Sequence, residues 1–207
     1  MRENLMIAII DYGAGNLRSV VNALSRLGYE ARVTTSAAEV LEAPAVILPG
    51  VGAAADTMSS LQQQGLDEPI RQVVAEGKPF LGVCIGMQVL LSDTEEGGSH
   101  QCLGVIPGRV RRFAPGLKVP HMGWNQLRQK RAHPVFEGIA DGAYFYFVHS
   151  YYVEPEDKGM VAGETEYGIP FCSVIAKDNL VATQFHPEKS GEVGLKVYDN
   201  FIRMALK

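Results

Sequence analysis

The chain has 207 residues, a formal net charge of −4 and 46% hydrophobic residues. That length suits one α/β domain with a sizeable core, spanning residues 1–207, and the acidic balance argues against a nucleic-acid binder. Met1-Arg2-Glu3-Asn4 leads into an apolar run, residues 5–10, too short for a secretory signal or a membrane span. Cys84, Cys102 and Cys172 have no C-x-x-C spacing and cannot all pair, which points to a reducing cytoplasm.

Residues 5–11 read as a buried first strand, Asp11-Tyr12-Gly13-Ala14-Gly15-Asn16 as a turn, and residues 17–27 as an amphipathic helix stopped at Gly28. A second strand is expected at 30–34, and Ser36-Ala37-Ala38-Glu39 matches a capping box opening a short helix. A third strand follows at 45–48, then helices near 53–64 and 68–76, then a fourth strand at 80–83. This alternation predicts a doubly wound parallel sheet. After Gln101 the expected strands follow one another, around 108–113, 144–148, 160–164, 171–176 and 180–184, with turns such as Lys177-Asp178-Asn179 between them. Antiparallel strands are therefore added to the parallel ones, and residues 189–206 form a closing helix.

The chemistry centres on Phe80-Leu81-Gly82-Val83-Cys84-Ile85-Gly86-Met87-Gln88. A strand, a sharp turn at Cys84 and a helix from about Gly86, with glycines two residues either side, have the layout of a nucleophile elbow with sulfur in place of the serine oxygen. Flanking side chains would collide with the neighbouring strand and helix. The turn lifts the sulfur to the carboxyl edge of the sheet, at a helix N-terminus whose free N–H groups favour a thiolate. A buried structural cysteine would explain the stretch equally well by itself.

A second constellation is Gln184-Phe185-His186-Pro187-Glu188. In extended chain, residues two apart point the same way, so Glu188 can hold the imidazole of His186 while the other ring nitrogen faces a thiol. Pro49-Gly50-Val51-Gly52 superficially matches a dinucleotide fingerprint, but Pro49 breaks the turn and the expected acid is missing. It reads better as a backbone segment able to offer an N–H to an oxyanion. The aromatic run at 144–152 is either core or a strand lining a site or a partner surface. Arg109, Arg111, Arg112, Arg128, Lys130 and Arg131 read as solvated faces, and no histidine has ligand neighbours that suggest a metal.

With the elbow, Pro49-Gly50-Val51-Gly52 and His186-Pro187-Glu188 together, the chain resembles the triad (class I) glutamine amidotransferases along essentially its whole length. Within them it is similar to the glutaminase subunits of imidazole glycerol phosphate synthases. The matching stretches are Asp11 to Asn16, Pro120-His121-Met122-Gly123-Trp124-Asn125, Tyr146-Phe147-Val148-His149-Ser150-Tyr151 and Phe185-His186-Pro187-Glu188-Lys189-Ser190. The resemblance implies a three-layer α/β fold with a mostly parallel central sheet, added antiparallel strands and flanking helices. It implies hydrolysis of glutamine to glutamate and ammonia, with Cys84 as nucleophile, His186 as acid/base and Glu188 as its orienter. The N–H groups of Ile85 and, after reorientation, Val51 would form the oxyanion hole. Gly50, Gly52, Gln88, Ser150 and Tyr151 would contact glutamine. Asn16, His121, Trp124, Tyr146 and His149 would lie towards a (β/α)8 synthase (cyclase) subunit, which receives the ammonia in a heterodimer. No cofactor, metal, nucleic acid or membrane is implied. The competing readings are a triad glutaminase of another pathway, a cysteine hydrolase on the same fold, and a non-catalytic regulatory subunit.

Overall fold

The computed structural model describes residues 6–206, so Leu5 of the expected first strand lies outside the described residues. The first half alternates strand and helix: β1 (Ile7–Ile10), α1 (Leu17–Arg26), β2 (Ala31–Thr34), α2 (Ala37–Glu42), β3 (Val46–Leu48), α3 (Ala54–Gln63), α4 (Asp67–Ala75), β4 (Phe80–Val83) and a single helical turn, α5 (Ile85–Gln88). Gly28 ends α1 at φ 80°; its N–H meets the Ser25 carbonyl and that of Tyr29 meets Leu24, each at 3.0 Å. These two bonds are a Schellman cap. Only half of the expected capping box forms. Ser36 Oγ accepts from the Glu39 N–H at 3.4 Å, but the Glu39 carboxylate pairs with Arg32 at 2.9 Å, and Ser36 N–H goes to Thr34 Oγ1.

The second half is strand-rich: β5 (Asp93–Thr94), β6 (His100–Gln101), β7 (Gly108–Arg112), β8 (His121–Gln126), β9 (Arg128–Gln129), β10 (Tyr144–His149), β11 (Tyr151–Pro155), β12 (Val161–Tyr167), β13 (Ile169–Lys177), β14 (Leu180–Thr183) and the closing α6 (Gly191–Ala205). Strands β2-β1-β3-β4-β14 run parallel in that order, and β13, β11 and β7 continue the same sheet antiparallel. The inner parallel strands β1, β3 and β4 are apolar on both faces: Ile7, Ile9, Val46, Ile47, Leu48, Phe80 and Leu81 are all fully buried, as a sheet covered by helices on each side requires. The last strand, β14, lies beside β4 with Thr183 opposite Val83. Two segments a hundred residues apart in sequence therefore leave the carboxyl edge next to each other, where open α/β sheets bind ligands.

Strands β8 and β10 form a separate antiparallel ribbon, with His121 opposite His149 and Trp124 opposite Tyr146. The aromatic run at 144–152 thus divides at Ser150. Its first part pairs in the ribbon and its second, β11, joins the main sheet. Alternation sends Phe145, Phe147 and His149 inward, while Tyr144 and Tyr146 turn outward beside Met122 and Trp124. The closing helix begins at Gly191, because Pro187–Lys189 is a 3-10 turn.

Candidate active site

Cys84 sits at φ 55°, ψ −106°, a strained conformation for any residue with a side chain and one that costs about 1–3 kcal/mol. The flanking glycines make it possible. A Cβ on Gly82 would lie 2.6 Å from the Gly86 carbonyl oxygen, and a Cβ on Gly86 would overlap the Leu48 carbonyl at the end of β3. Strand β4, the turn and β3 touch backbone to backbone, and the Cys84 N–H is held by the Thr183 carbonyl at 2.7 Å. The helix behind the sulfur begins at Ile85, about where the sequence places it, and is one turn long. Its macrodipole is correspondingly small, and the groups around the sulfur come from other strands.

Downstream of β14, His186 and Glu188 meet as the spacing predicts: Nδ1 of His186 lies 2.8 Å from Oε1 of Glu188, with the two side chains 1% and 3% exposed. The His186 backbone is pinned at both ends. Its N–H donates to the Tyr146 carbonyl at 3.0 Å, and its carbonyl accepts from Ser190 Oγ at 2.7 Å. Burial by itself would lower the pKa of the ring, but Cys84 and Glu188 outweigh it and push it up to about 9. The ring is therefore an imidazolium at neutral pH. Its Nε2 is buried with no hydrogen-bond partner, on a ring that the Cys84 thiol acts on directly.

A cavity of ≈ 350 Å³ opens over the sulfur, near the low end of the roughly 300–1,000 Å³ usual for small-ligand sites. Of the residues expected to contact substrate, Val51, Gly52, Ile85, Gln88, Ser150 and Tyr151 line it together with Cys84 and His186. Gly50 does not line it. It lies against the elbow, where a Cβ would come within 2.9 Å of Gly86 N and of the Tyr12 hydroxyl. Gly52 needs its missing side chain for a different reason, a φ of 101°. The Val51 N–H and the Thr57 hydroxyl act on the buried Tyr12 Oη, which closes no hydrogen bond of ordinary geometry.

The residues expected towards a partner divide. Trp124 is 56% exposed and stands edge-on to Tyr146, ring centroids 6.1 Å apart. Asn16 is exposed and caps α1. His121 and His149 are only 4% and 5% exposed, because strand alternation turns them behind the ribbon; His149 lines the cavity instead. Sequence reasoning missed three nearby groups. Glu96 and Lys189 line the cavity, and Gln184 Nε2 lies 3.6 Å from Cys84 Sγ. The alternation that pairs His186 with Glu188 also puts Gln184 on that side, so this last signal was present. Cys102 and Cys172 are buried free thiols that do not line the cavity; burial, with Asp93 and Glu96 adding, pushes the Cys102 thiol up to about 12. Among the described residues no group of three or more His, Cys, Asp or Glu could hold a metal ion, and no helix is long and apolar enough to cross a membrane.

A cysteine on a strained elbow, beside an imidazole oriented by a carboxylate at the carboxyl edge of a parallel sheet, is the apparatus of acyl transfer through a thioester. The family model for class-I glutamine amidotransferases matches residues 8–204, and the chain belongs to that family. It is 58% identical over 201 residues to the protein named imidazole glycerol phosphate synthase subunit HisH from Dehalococcoides mccartyi, covering 97% of this chain and 98% of that one. The proteins of the same name from Geobacter sulfurreducens and Herpetosiphon aurantiacus are 56% and 54% identical, over 96% and 97% of this chain and 98% and 95% of theirs. Solved structures share the fold at lower identity. A crystal structure of a glutamine amidotransferase superposes with a TM-score of 0.76 at 22% identity, covering 97% of this chain and 99% of that one. A chain of PurLQS from Thermotoga maritima gives 0.77 at 18%, covering 99% and 100%.

Proposed function

We propose that this chain is the glutaminase subunit of an imidazole glycerol phosphate synthase, with Cys84, His186 and Glu188 as its catalytic triad. The observation that carries the reading is the buried His186–Glu188 pair beside the elbow cysteine, in a chain more than half identical to relatives of that name.

Glutamine binds with its carboxamide over Cys84. The sulfur attacks as the thiolate, and the carbonyl oxygen takes the negative charge. The N–H of Ile85, at the first position of a helical turn, has no intrahelical partner and faces that oxyanion. His186 gives its Nε2 proton to the departing nitrogen, ammonia leaves, and a γ-glutamyl thioester remains. The now neutral ring takes a proton from water, the hydroxide attacks the thioester, and glutamate and the thiolate are released. Glu96 supplies a negative charge for the α-ammonium group of the substrate.

The Val51 N–H is the second oxyanion donor; here it lies near Tyr12 Oη without closing a hydrogen bond to it. Rotation of the Gly50–Val51 peptide would complete the hole. The partner, a synthase (cyclase) subunit that consumes the ammonia, docks on the outer face of the ribbon around Trp124 and Tyr146. Two observations support that placement. Met122, Trp124 and Tyr144 are 63%, 56% and 55% exposed on one face, and this face joins the cavity through Val148 and through Lys189, whose Nζ lies 5.9 Å over the Tyr146 ring. Cyclisation and bond cleavage on the nucleotide belong to that partner.

The test is glutamate release from glutamine by the chain alone and with the synthase subunit plus its nucleotide ligand. Low activity alone and strong stimulation in the complex are expected. No stimulation by that subunit, in protein whose Cys84 is still a free thiol, would overturn the assignment to this synthase.

A further inference from the structure

Gln184 has no part in the mechanism above, yet it touches the reacting sulfur. Its orientation follows from a chain of hydrogen bonds with one consistent direction. The Tyr151 carbonyl can only accept. It takes one bond from Gln88 Nε2 at 3.0 Å and one from His149 Nδ1 at 2.8 Å. Gln88 therefore turns its NH2 group to that carbonyl, and the second hydrogen on the same nitrogen meets Gln184 Oε1 at 3.1 Å. With its oxygen occupied, Gln184 presents its own NH2 to Cys84 Sγ at 3.6 Å. Both amides are buried, Gln88 1% and Gln184 0% exposed.

The other end of the chain is equally constrained. A His149 that donates from Nδ1 must accept at Nε2, so His121 donates there from Nδ1 at 3.0 Å. His121 Nε2 then accepts from Asn125 Nδ2 at 3.2 Å. Burial holds both rings neutral, with pKa values pulled down to about 4 for His121 and about 3 for His149. A neutral imidazole has one donor and one acceptor, which is what the relay needs at each ring. The relay fixes the Tyr151 carbonyl, the carbonyl fixes Gln88, and Gln88 fixes Gln184.

We infer that Gln184 is a catalytic residue whose side-chain N–H donates to the Cys84 sulfur and stabilises the negative charge it carries before attack and again when the thioester is cleaved. This rests on Cys84 being the nucleophile. No bond to Gln184 forms or breaks; the N–H···S contact strengthens as the sulfur becomes anionic, because hydrogen bonds to charged atoms are the strong ones. His186 works from the proton side and Gln184 from the charge side of the same sulfur.

The experiment compares alkylation of Cys84 by iodoacetamide in the unaltered chain and in Gln184→Met, which keeps the length of the side chain and removes the donor. Alkylation should slow about tenfold at neutral pH, the low end for a hydrogen bond to a charged atom, and should recover at alkaline pH, where the sulfur ionises unaided. In the complex with the synthase subunit, kcat for glutamine should fall by a similar factor with KM little changed. Alkylation at the unaltered rate in folded Gln184→Met would overturn the inference. Slowed alkylation together with no glutamine hydrolysis by the unaltered complex would leave the hydrogen bond standing and overturn the glutaminase reading instead. Should Gln184→Met fail to fold, the unaltered chain still decides. The NMR resonances of the Gln184 side-chain amide should shift as Cys84 ionises, and amide resonances blind to that ionisation would refute the contact.

Discussion

Replacing Glu188 by Gln keeps the shape of the site and removes one buried charge. The structure sets the size of the effect. Glu188 Oε1 is 2.8 Å from His186 Nδ1, both side chains are almost fully buried, and the ring's pKa is pushed up to about 9. Against an ordinary histidine near ~6.5, that difference corresponds to about 3 kcal/mol of folding stability carried by the protonated ring. The folded value is the raised one. The contribution is therefore complete below about pH 6.5 and is lost as pH climbs towards about 9. In Glu188→Gln, the ring loses one of the two groups that hold it charged and keeps the other, Cys84, so its pKa falls and the pH dependence shrinks. Removing one member of a buried pair also costs about 3–5 kcal/mol at neutral pH. Urea unfolding near the two ends of that window, run on the unaltered chain, Glu188→Gln and His186→Gln, separates these effects. His186→Gln supplies the baseline for every other titrating group. The unaltered chain should lose about 3 kcal/mol relative to that baseline across the window, and Glu188→Gln should lose measurably less. Three parallel profiles would refute the claim that Glu188 holds the ring charged.

Gly86→Ala should destabilise the fold by about 3 kcal/mol or more, since its Cβ would overlap the Leu48 backbone rather than a side chain that can move; a melting temperature within a degree of the unaltered chain would contradict the elbow packing. Val51→Pro has no N–H to offer an oxyanion, so partner-stimulated glutaminase should fall by about 10²–10³, while a position 36% exposed leaves the melting curve near its original place. Trp124→Ala, at the exposed centre of the ribbon face, should weaken binding of the synthase subunit by about 2 kcal/mol, roughly 30-fold, measured by titration calorimetry.

The parallel half was legible because its rules are local. Short apolar runs set β1, β3 and β4, the last two bounded by proline, and Gly28 and Ser36 marked helix ends where they form. What escaped lies where the partner strand is distant in sequence. Strand β8, His-Met-Gly-Trp-Asn-Gln, alternates buried and exposed faces only once β10 lies beside it. The break at Ser150 is a change of sheet, and nothing in a run of aromatic residues marks which sheet each strand will join. The triad residues were legible because an elbow and a His-x-Glu pair have short-range signatures. For Gln184 only its side of the strand was legible, and the histidine relay not at all, since their roles depend on which atom faces which across four strands. The start of the helix behind Cys84 was legible in Gly86-Met87-Gln88, but nothing there marks that the helix ends after one turn at Val89.

The connection between the ribbon and the base is backbone, and this bears on how the partner would act. Tyr146 exposes its ring on the docking face, yet its carbonyl accepts the His186 N–H at 3.0 Å and its own N–H donates to Ser190 Oγ at 3.0 Å. Ser190 Oγ in turn donates to the His186 carbonyl at 2.7 Å. One strand therefore carries a ring of the proposed docking face on one side and holds the His186 peptide along its length. Two residues before the sheet change, Val148 places its carbonyl 3.9 Å from Cys84 Sγ. Packing interiors transmit small displacements because they have no slack to absorb them. A partner seated against Trp124 and Tyr146 presses on the strand that positions both the base and a carbonyl over the nucleophile. With the proposed docking, stimulation needs no separate signalling element: β10 would be at once the binding surface and part of the cavity wall.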